Sequence, residues 1–130
     1  MEKDIKDEVR NGRIVTKEVA EAAAQKIADD RKEKLTEEMV RSITNSEYSR
    51  KRQLLNLQKA RETEKVVKDK LVKLSSLDDD LKEGKHTPES YNKAVEAINK
   101  EERDATSKIN TEYSELFDQL QSQYPSMYRW

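Results

Sequence analysis

Several residue types are rare or missing in this sequence, and each absence excludes a class of protein. The chain contains no cysteine, one histidine, two glycines and two prolines. Without cysteine there is no disulfide scaffold, no thiol nucleophile and no cysteine zinc site. No apolar run approaches the roughly 18 residues of a membrane span, and Met1–Arg10 is too charged for a secretory signal peptide. We therefore expect no membrane-spanning segment.

The charge composition favours long helices. The chain has 26 Lys and Arg against 27 Asp and Glu, and 41% of its residues are charged while 33% are hydrophobic. Ala, Glu, Lys, Leu and Arg make up about half of the chain, which is typical of coiled coils and long exposed helices. A net charge of −1 argues against a disordered chain and against a general polyanion binder.

Two breaks in the first half of the chain predict helix ends. Gly12 can adopt the left-handed conformation that ends a short first helix, and Thr16 fits the N-cap of a second. Residues 44–47, Thr-Asn-Ser-Glu, match a capping box, in which a hydroxyl and a carboxylate bond to the free amides of a helix start. We therefore expect a helix boundary or a kink there.

The clearest turn lies at residues 84–87. Gly84 fits the position after a helix end, Thr87 fits an N-cap and Pro88 fits the first position of the next helix. Folding the chain about residues 85–86 pairs Leu81 with Tyr91. Apolar residues at equal distances from the turn then lie opposite each other along both arms. This register predicts a long antiparallel helical hairpin.

Apolar residues at helical spacing predict which faces are buried. The stripe of the N-terminal helix consists of Val19, Ala22, Ala23, Ile27, Leu35, Met39 and Ile43. The stripe of the first hairpin arm consists of Leu54, Leu57, Glu64, Val67, Leu71, Leu74 and Leu81. The stripe of the second arm consists of Tyr91, Val95, Ile98, Glu102, Ala105, Ile109, Tyr113, Leu116, Leu120 and Tyr124.

These patterns predict an all-α fold: an elongated, coiled-coil-like, long antiparallel helical hairpin with an additional N-terminal helix. The predicted parts are an N-terminal helical segment at 1–43, the hairpin at 44–124 and an aromatic C-terminal tail at 125–130. Residues 50–73 hold nine basic residues against three acidic ones, and residues 96–118 hold seven acidic residues against three basic ones. In the predicted register these stretches lie side by side, as paired charges do along a coiled coil.

Residues suited to catalysis are scarce. His86 falls in the turn, and Gly84 interrupts the helix between it and Glu83, which disfavours a di-iron pair. The acidic run 78–80 lacks the alternating spacing of a calcium loop. We expect no enzyme activity, no cofactor, no bound metal and no small-molecule substrate.

The predicted interaction residues lie in two places. Five of the seven aromatic residues fall in the last eighteen positions, and the chain leaves the helix at Pro125. Tyr, Trp, Met and Arg are enriched at protein interfaces, so the candidate partner-binding residues of the tail are Tyr124, Met127, Tyr128, Arg129 and Trp130. The tail also fits a cap over the open end of the hairpin. A second candidate is the basic run Arg50, Lys51 and Arg52, which suits phosphate or an acidic partner.

Two resemblances bear on the architecture and the function. Leu77, Leu81, Gly84, Thr87, Glu89 and Tyr91 resemble the small helical hairpin of SHOCT-type modules, although His86 stands where those modules have an apolar residue. This resemblance implies a hairpin around residues 77–91 and no activity. In composition and helical character the whole chain resembles small helical virion and scaffolding-type proteins of tailed phages, which implies a location in a virion. Otherwise we expect the cytoplasm.

The expected function is that of a structural assembly component that docks amphipathic helices and its aromatic tail on protein partners, with self-association as one form. A nucleic-acid-associated helical protein that uses the basic 50–73 face is an alternative. A soluble adaptor or regulator that binds one protein through its C-terminal tail is another.

Overall fold

A computed structural model of the chain describes residues 4–124, and over this range it is all-α and has no strand. Helix α1 spans Ile5–Arg10, α2 spans Lys17–Arg31, α3 spans Glu37–Lys82 and α4 spans Pro88–Gln123. Helices α3 and α4 pack against each other as the predicted antiparallel hairpin. The predicted tail at 125–130 lies outside the described residues.

The chain forms two compact units. One combines the chain up to Leu57 with the segment that begins at Ser114, and the other spans Gln58–Tyr113. Helices α1 and α2 belong to the first unit, together with the first part of α3 and the end of α4. The second unit is a two-helix hairpin.

The turn of the hairpin has the predicted local structure. Gly84 has a φ of 77°, and α4 begins at Pro88. The Thr87 hydroxyl accepts a hydrogen bond from the Ser90 amide at 3.1 Å, as an N-cap side chain does. Glycine adopts this left-handed conformation without a steric cost, so the local sequence explains the reversal of the chain.

The predicted register is confirmed by contacts within each unit. In the second unit Lys70 pairs with Glu102 at 2.8 Å, and in the first the ring of Tyr48 contacts that of Tyr124. The two members of each pair are almost equally far from the predicted turn. The predicted stripe of α4 is also confirmed, because each of its residues is buried or half-buried.

The predicted stripe of α3 is largely wrong. Its apolar members at positions 54, 57, 67, 71 and 81 are all exposed, and only Leu74 is half-buried. The inward face carries instead Leu55 and Leu77, which are buried, and Val66, which is half-buried. Apolar residues occur on two faces of α3, often as adjacent pairs, and packing decides which face is buried.

The boundary predicted at residues 44–47 is wrong, since α3 runs through them without a break. The Thr44 hydroxyl donates to the Val40 carbonyl at 3.1 Å, a bond that a helix interior permits. The helix begins at Glu37, where the Thr36 hydroxyl accepts from the Met39 amide at 3.2 Å. The predicted division of the chain at 43–44 therefore falls inside a helix.

The N-terminal helix buries alanines rather than its larger apolar residues. Ala20, Ala24 and Ala28 are buried on one face of α2, whereas Val19 and Ile27 are exposed. The predicted stripe of α2 is therefore wrong within the helix itself. The predicted continuation of this helix to Ile43 is also wrong, because α2 ends at Arg31, Lys32 takes the left-handed conformation and α3 begins at Glu37. The burial predicted for Leu35, Met39 and Ile43 is confirmed, because they are half-buried and pack against the core of this region from the connection and from α3.

The segment after α1 lies beside the end of α4 and bonds to it through backbone groups. The side-chain amide nitrogen of Gln123, Nε2, donates to the backbone carbonyls of Val9 and Gly12, and the backbone amide of Val15 donates to the backbone carbonyl of Gln123 at 2.7 Å. The prediction of a left-handed Gly12 is wrong, because Gly84 is the glycine with positive φ. The absence of a side chain at Gly12 instead makes room for Gln123.

Candidate protein-interaction site

Tyr124, the first residue of the predicted aromatic site, is buried within its own unit. Its ring meets that of Tyr48 edge-on, with centroids 5.8 Å apart, and Lys51 Nζ lies 5.2 Å from the Tyr124 ring centroid. Its hydroxyl donates to Glu47 Oε2 at 3.4 Å. Tyr124 therefore packs against α3 within its own unit. The other predicted tail residues, Met127, Tyr128, Arg129 and Trp130, lie outside the described part of the chain.

The basic run at 50–52 is largely engaged within the chain. The Arg50 guanidinium pairs with Glu8 at 3.2 Å, so it holds α1 against α3. Lys51 lies against the Tyr124 ring, where a cation is attracted to the face of the aromatic system. Arg52 is exposed. Two of the three basic side chains that were predicted to bind an external anion therefore contact other residues of the chain.

The predicted pairing of the basic and acidic stretches is present in the second unit. Lys70 pairs with Glu102, and Lys73 pairs with Glu101 at 2.6 Å. The hydrogen bond and the charge of Glu101 raise the pKa of Lys73 above its ordinary value. Because ion pairs at a protein surface contribute little to stability, these pairs fix the register of the hairpin more than they stabilise it.

An open groove of about 280 Å³ runs beside these ion pairs. Its floor consists of Val66 on α3 and of Ile98 and Ala105 on α4, and its charged rim consists of Asp69, Lys70, Lys73, Glu101 and Glu102. We call the surface formed by these eight residues, floor and rim together, the groove. Sites that bury a small molecule are usually concave and closed on most sides. An apolar floor between charged rims suits the side chains of another helix better.

A second apolar surface lies elsewhere on α3. Val67 is 43% exposed, Leu71 is 59% exposed and Val72 is 69% exposed. We call these three residues the ridge. The apolar spacing of α3 predicts Val67 and Leu71 in the seam of the hairpin and leaves out Val72, so the spacing does not reveal this surface. The adjacent pairs Val66-Val67 and Leu71-Val72 were the available signal, because neighbouring residues of a helix point about 100° apart and one member of such a pair can face away from the partner helix.

The polar residues around the turn bond to one another. Tyr91 donates its hydroxyl hydrogen to Asp78 at 2.7 Å, and this bond raises the pKa of Tyr91. His86 Nδ1 lies 3.2 Å from the Ser90 hydroxyl. Among residues 4–124, no group of three or more His, Cys, Asp or Glu side chains is placed to hold a metal ion.

In the same range, no helix is long and apolar enough to cross a membrane. No protein-family model, curated protein or solved structure matches the chain. The comparisons therefore assign neither a family nor a function.

Proposed function

We propose that this protein is a non-enzymatic assembly component that binds protein partners through the outward apolar face of α3. The observation that carries the proposal is the unequal burial of the two long helices. Six of the nine large apolar side chains that are exposed between residues 4 and 124 lie on α3, and none lies on α4. Isolated exposed apolar residues are normal, but a concentration of them on one helix is typical of an interaction surface.

The small core of the second unit supports the same proposal. Within Gln58–Tyr113 only Leu77 and Tyr113 are buried, and the other inward residues of the hairpin are half-buried. Two helices bury one stripe each, whereas stable bundles enclose a core with three or four helices. Docking of a further helix on α3 would remove more apolar surface from water, and this stabilises both the hairpin and the complex.

A narrower form of the proposal is that the chain is a virion or scaffolding-type protein of a tailed phage. This form implies a location in the cytoplasm or in a virion. Its support is the resemblance in composition and helical character.

The two alternative functions have less support. Two of the three charges at 50–52 bond within the chain, which weakens the nucleic-acid alternative, and Tyr124 packs inside its own unit, which weakens the adaptor alternative.

Site-specific photo-crosslinking tests the proposal in cells of the natural source. Benzoylphenylalanine at Leu71 should crosslink to one protein species at a fixed ratio, because Leu71 lies in the proposed interface. The matched control is benzoylphenylalanine at Val19, which is 55% exposed on α2 and should crosslink little. Absence of a specific crosslink at Leu71, or equal crosslinking at both positions, would contradict the proposal.

A further inference from the structure

We propose that the ridge of one copy of this protein binds in the groove of a second copy. This inference rests on the proposed function and names the partner as a second copy of the same chain. The ridge and the groove both belong to the unit Gln58–Tyr113, so each copy carries both halves of the interface.

The two surfaces face different directions. Each residue of an α-helix turns about 100° from the one before it, so Lys70 and Lys73 point within about 40° of Val66. Val67 and Leu71 point about 100° and 140° away from Val66. One copy therefore cannot fill its own groove with its own ridge, and a second copy can.

Charge distinguishes this arrangement from a pairing of two ridges. Arg61, Lys65 and Lys68 share one stripe of α3 with Val72, and Lys68 pairs with Glu64 at 3.1 Å. Two exposed cations, Arg61 and Lys65, lie on this stripe before Val72, and one exposed acid, Asp79, lies beyond it, so the stripe has an excess of one positive charge. Two ridges in contact would bring these like charges together, which is unfavourable.

The groove offers the opposite sign. Its rim contains three acidic residues and two basic ones, and the two basic residues, Lys70 and Lys73, already pair with Glu102 and Glu101. Asp69 remains as the excess charge on the rim. The cations of an incoming ridge therefore meet a rim of net negative charge while its apolar residues reach Val66, Ile98 and Ala105.

This contact uses two different surfaces, so binding leaves one ridge and one groove open in every pair. Contacts of this kind build rings or open chains of subunits rather than ending at a dimer. The net charge of −1 gives little overall repulsion between copies. We therefore expect the mass of the full chain to rise with concentration beyond that of a dimer.

Sedimentation velocity on the full chain tests this inference with two complementary variants. Leu71→Ala removes an apolar side chain from the ridge, and Ala105→Lys places a cation in the floor of the groove. Each variant alone should associate at least about tenfold more weakly than the wild type. An equimolar mixture should form a dimer and nothing larger, because only one intact ridge and one intact groove remain. Val19→Ala is the matched control and should assemble as the wild type does.

Circular dichroism of each variant checks that its helices are intact. If Ala105→Lys loses helicity, Glu101→Lys replaces it, because Glu101 is exposed on the rim and its reversal removes part of the attraction for the ridge. This second variant should also weaken association.

Two results would overturn the inference. The first is a wild-type chain that stays monomeric up to about millimolar concentration, because such a chain has almost no affinity for itself. The second is a groove variant that still forms dimers, because its ridges must then pair with each other. Crosslinking at Leu71 separates this failure from that of the proposed function. A fixed-ratio crosslink to a different protein overturns self-binding and upholds the assembly role, whereas no crosslink overturns both.

Discussion

Gly12 lies where the loop after α1 passes closest to the last turn of α4. A Cβ atom at this position would stand 2.7 Å from Gln123 Oε1. The Gln123 amide cannot easily move away, since its nitrogen bonds to the Val9 and Gly12 carbonyls in a buried site. One missing side chain thus allows the N-terminal segment to lie against α4.

Gly12→Ala should therefore lower the free energy of unfolding by about 1–2 kcal/mol, as overpacking of a filled site does. Urea denaturation measures this change in the free energy of unfolding. In a Gln123→Ala background the same change should cost less, because the clashing group is gone. Gly84→Ala is the control: nothing lies within 4 Å of its Cβ, so its cost comes from the positive φ and should not depend on Gln123. Equal costs of Gly12→Ala in both backgrounds would contradict this explanation.

Tyr91 offers a test of the hairpin register through pH. Its hydroxyl donates to the Asp78 carboxylate, which favours the neutral phenol and raises the Tyr91 pKa above its ordinary value of about 10. The contribution of this bond to stability is full below that ordinary pKa. It is lost as the pH rises through the raised pKa of the folded state, because phenolate and carboxylate then repel each other.

An NMR titration of the Tyr91 ring should show this raised pKa, and Asp78→Asn should return the pKa towards its ordinary value. If Asp78→Asn leaves the midpoint of the titration unchanged, then the two side chains are not bonded in solution.

Helix α3 contains a sequence pattern that is typical of a helix start but lies inside the helix. Residues 44–47 have the spacing of a capping box, yet Thr44 is buried inside the helix. Thr36 caps the helix, and two acidic residues follow it in the first turn, where they interact favourably with the helix dipole. The Ala face of α2 packs near this start, so tertiary contacts favour the earlier cap.

Substitution of the two threonines tests which one begins the helix. Thr36→Ala should lower the free energy of unfolding by about 1 kcal/mol, the usual cost of a lost N-cap. Thr44→Val keeps the shape of the side chain and removes a hydroxyl that bonds to the Val40 carbonyl inside the helix, so it should cost less stability than Thr36→Ala does. Chemical denaturation compares the two. A larger loss for Thr44→Val would place the helix start where the capping box stands.

The two long helices also differ in how well periodicity alone describes them. Every predicted inward residue of α4 is buried or half-buried, because that helix has one apolar stripe and polar residues elsewhere. Helix α3 has apolar residues on more than one face, so a spacing of three and four fits more than one stripe. The stripe that periodicity selected contains Val67 and Leu71, which belong to the ridge.

At the scale of the whole chain, the composition and the turn at 84–87 were sufficient to predict an all-α fold with an antiparallel hairpin. Few breaks and a high content of helix-forming residues leave little else for the backbone to form. The turn fixes the register because both arms begin from it, and the observed pairs Lys70–Glu102 and Tyr48–Tyr124 follow that register. The charge complementarity of the two arms could be predicted for the same reason.

The candidate site could be predicted only in part. Composition indicated interface residues at the C-terminus, but the geometry around Tyr124 depends on Tyr48 and Lys51, which are far away in the sequence. The groove and the ridge exist only once α3 has been oriented against α4. Neither surface has a sequence motif of its own.

The sequence by itself determined the helical class, the hairpin turn, the register and the buried face of α4, since these depend on local propensity and on a single apolar period. Tertiary structure alone decided which face of α3 packs inward, where α3 begins, which alanines α2 buries and why residue 12 is a glycine. Each of these depends on a close contact between residues distant in sequence, and small differences in packing energy choose between alternatives that local patterns leave equal.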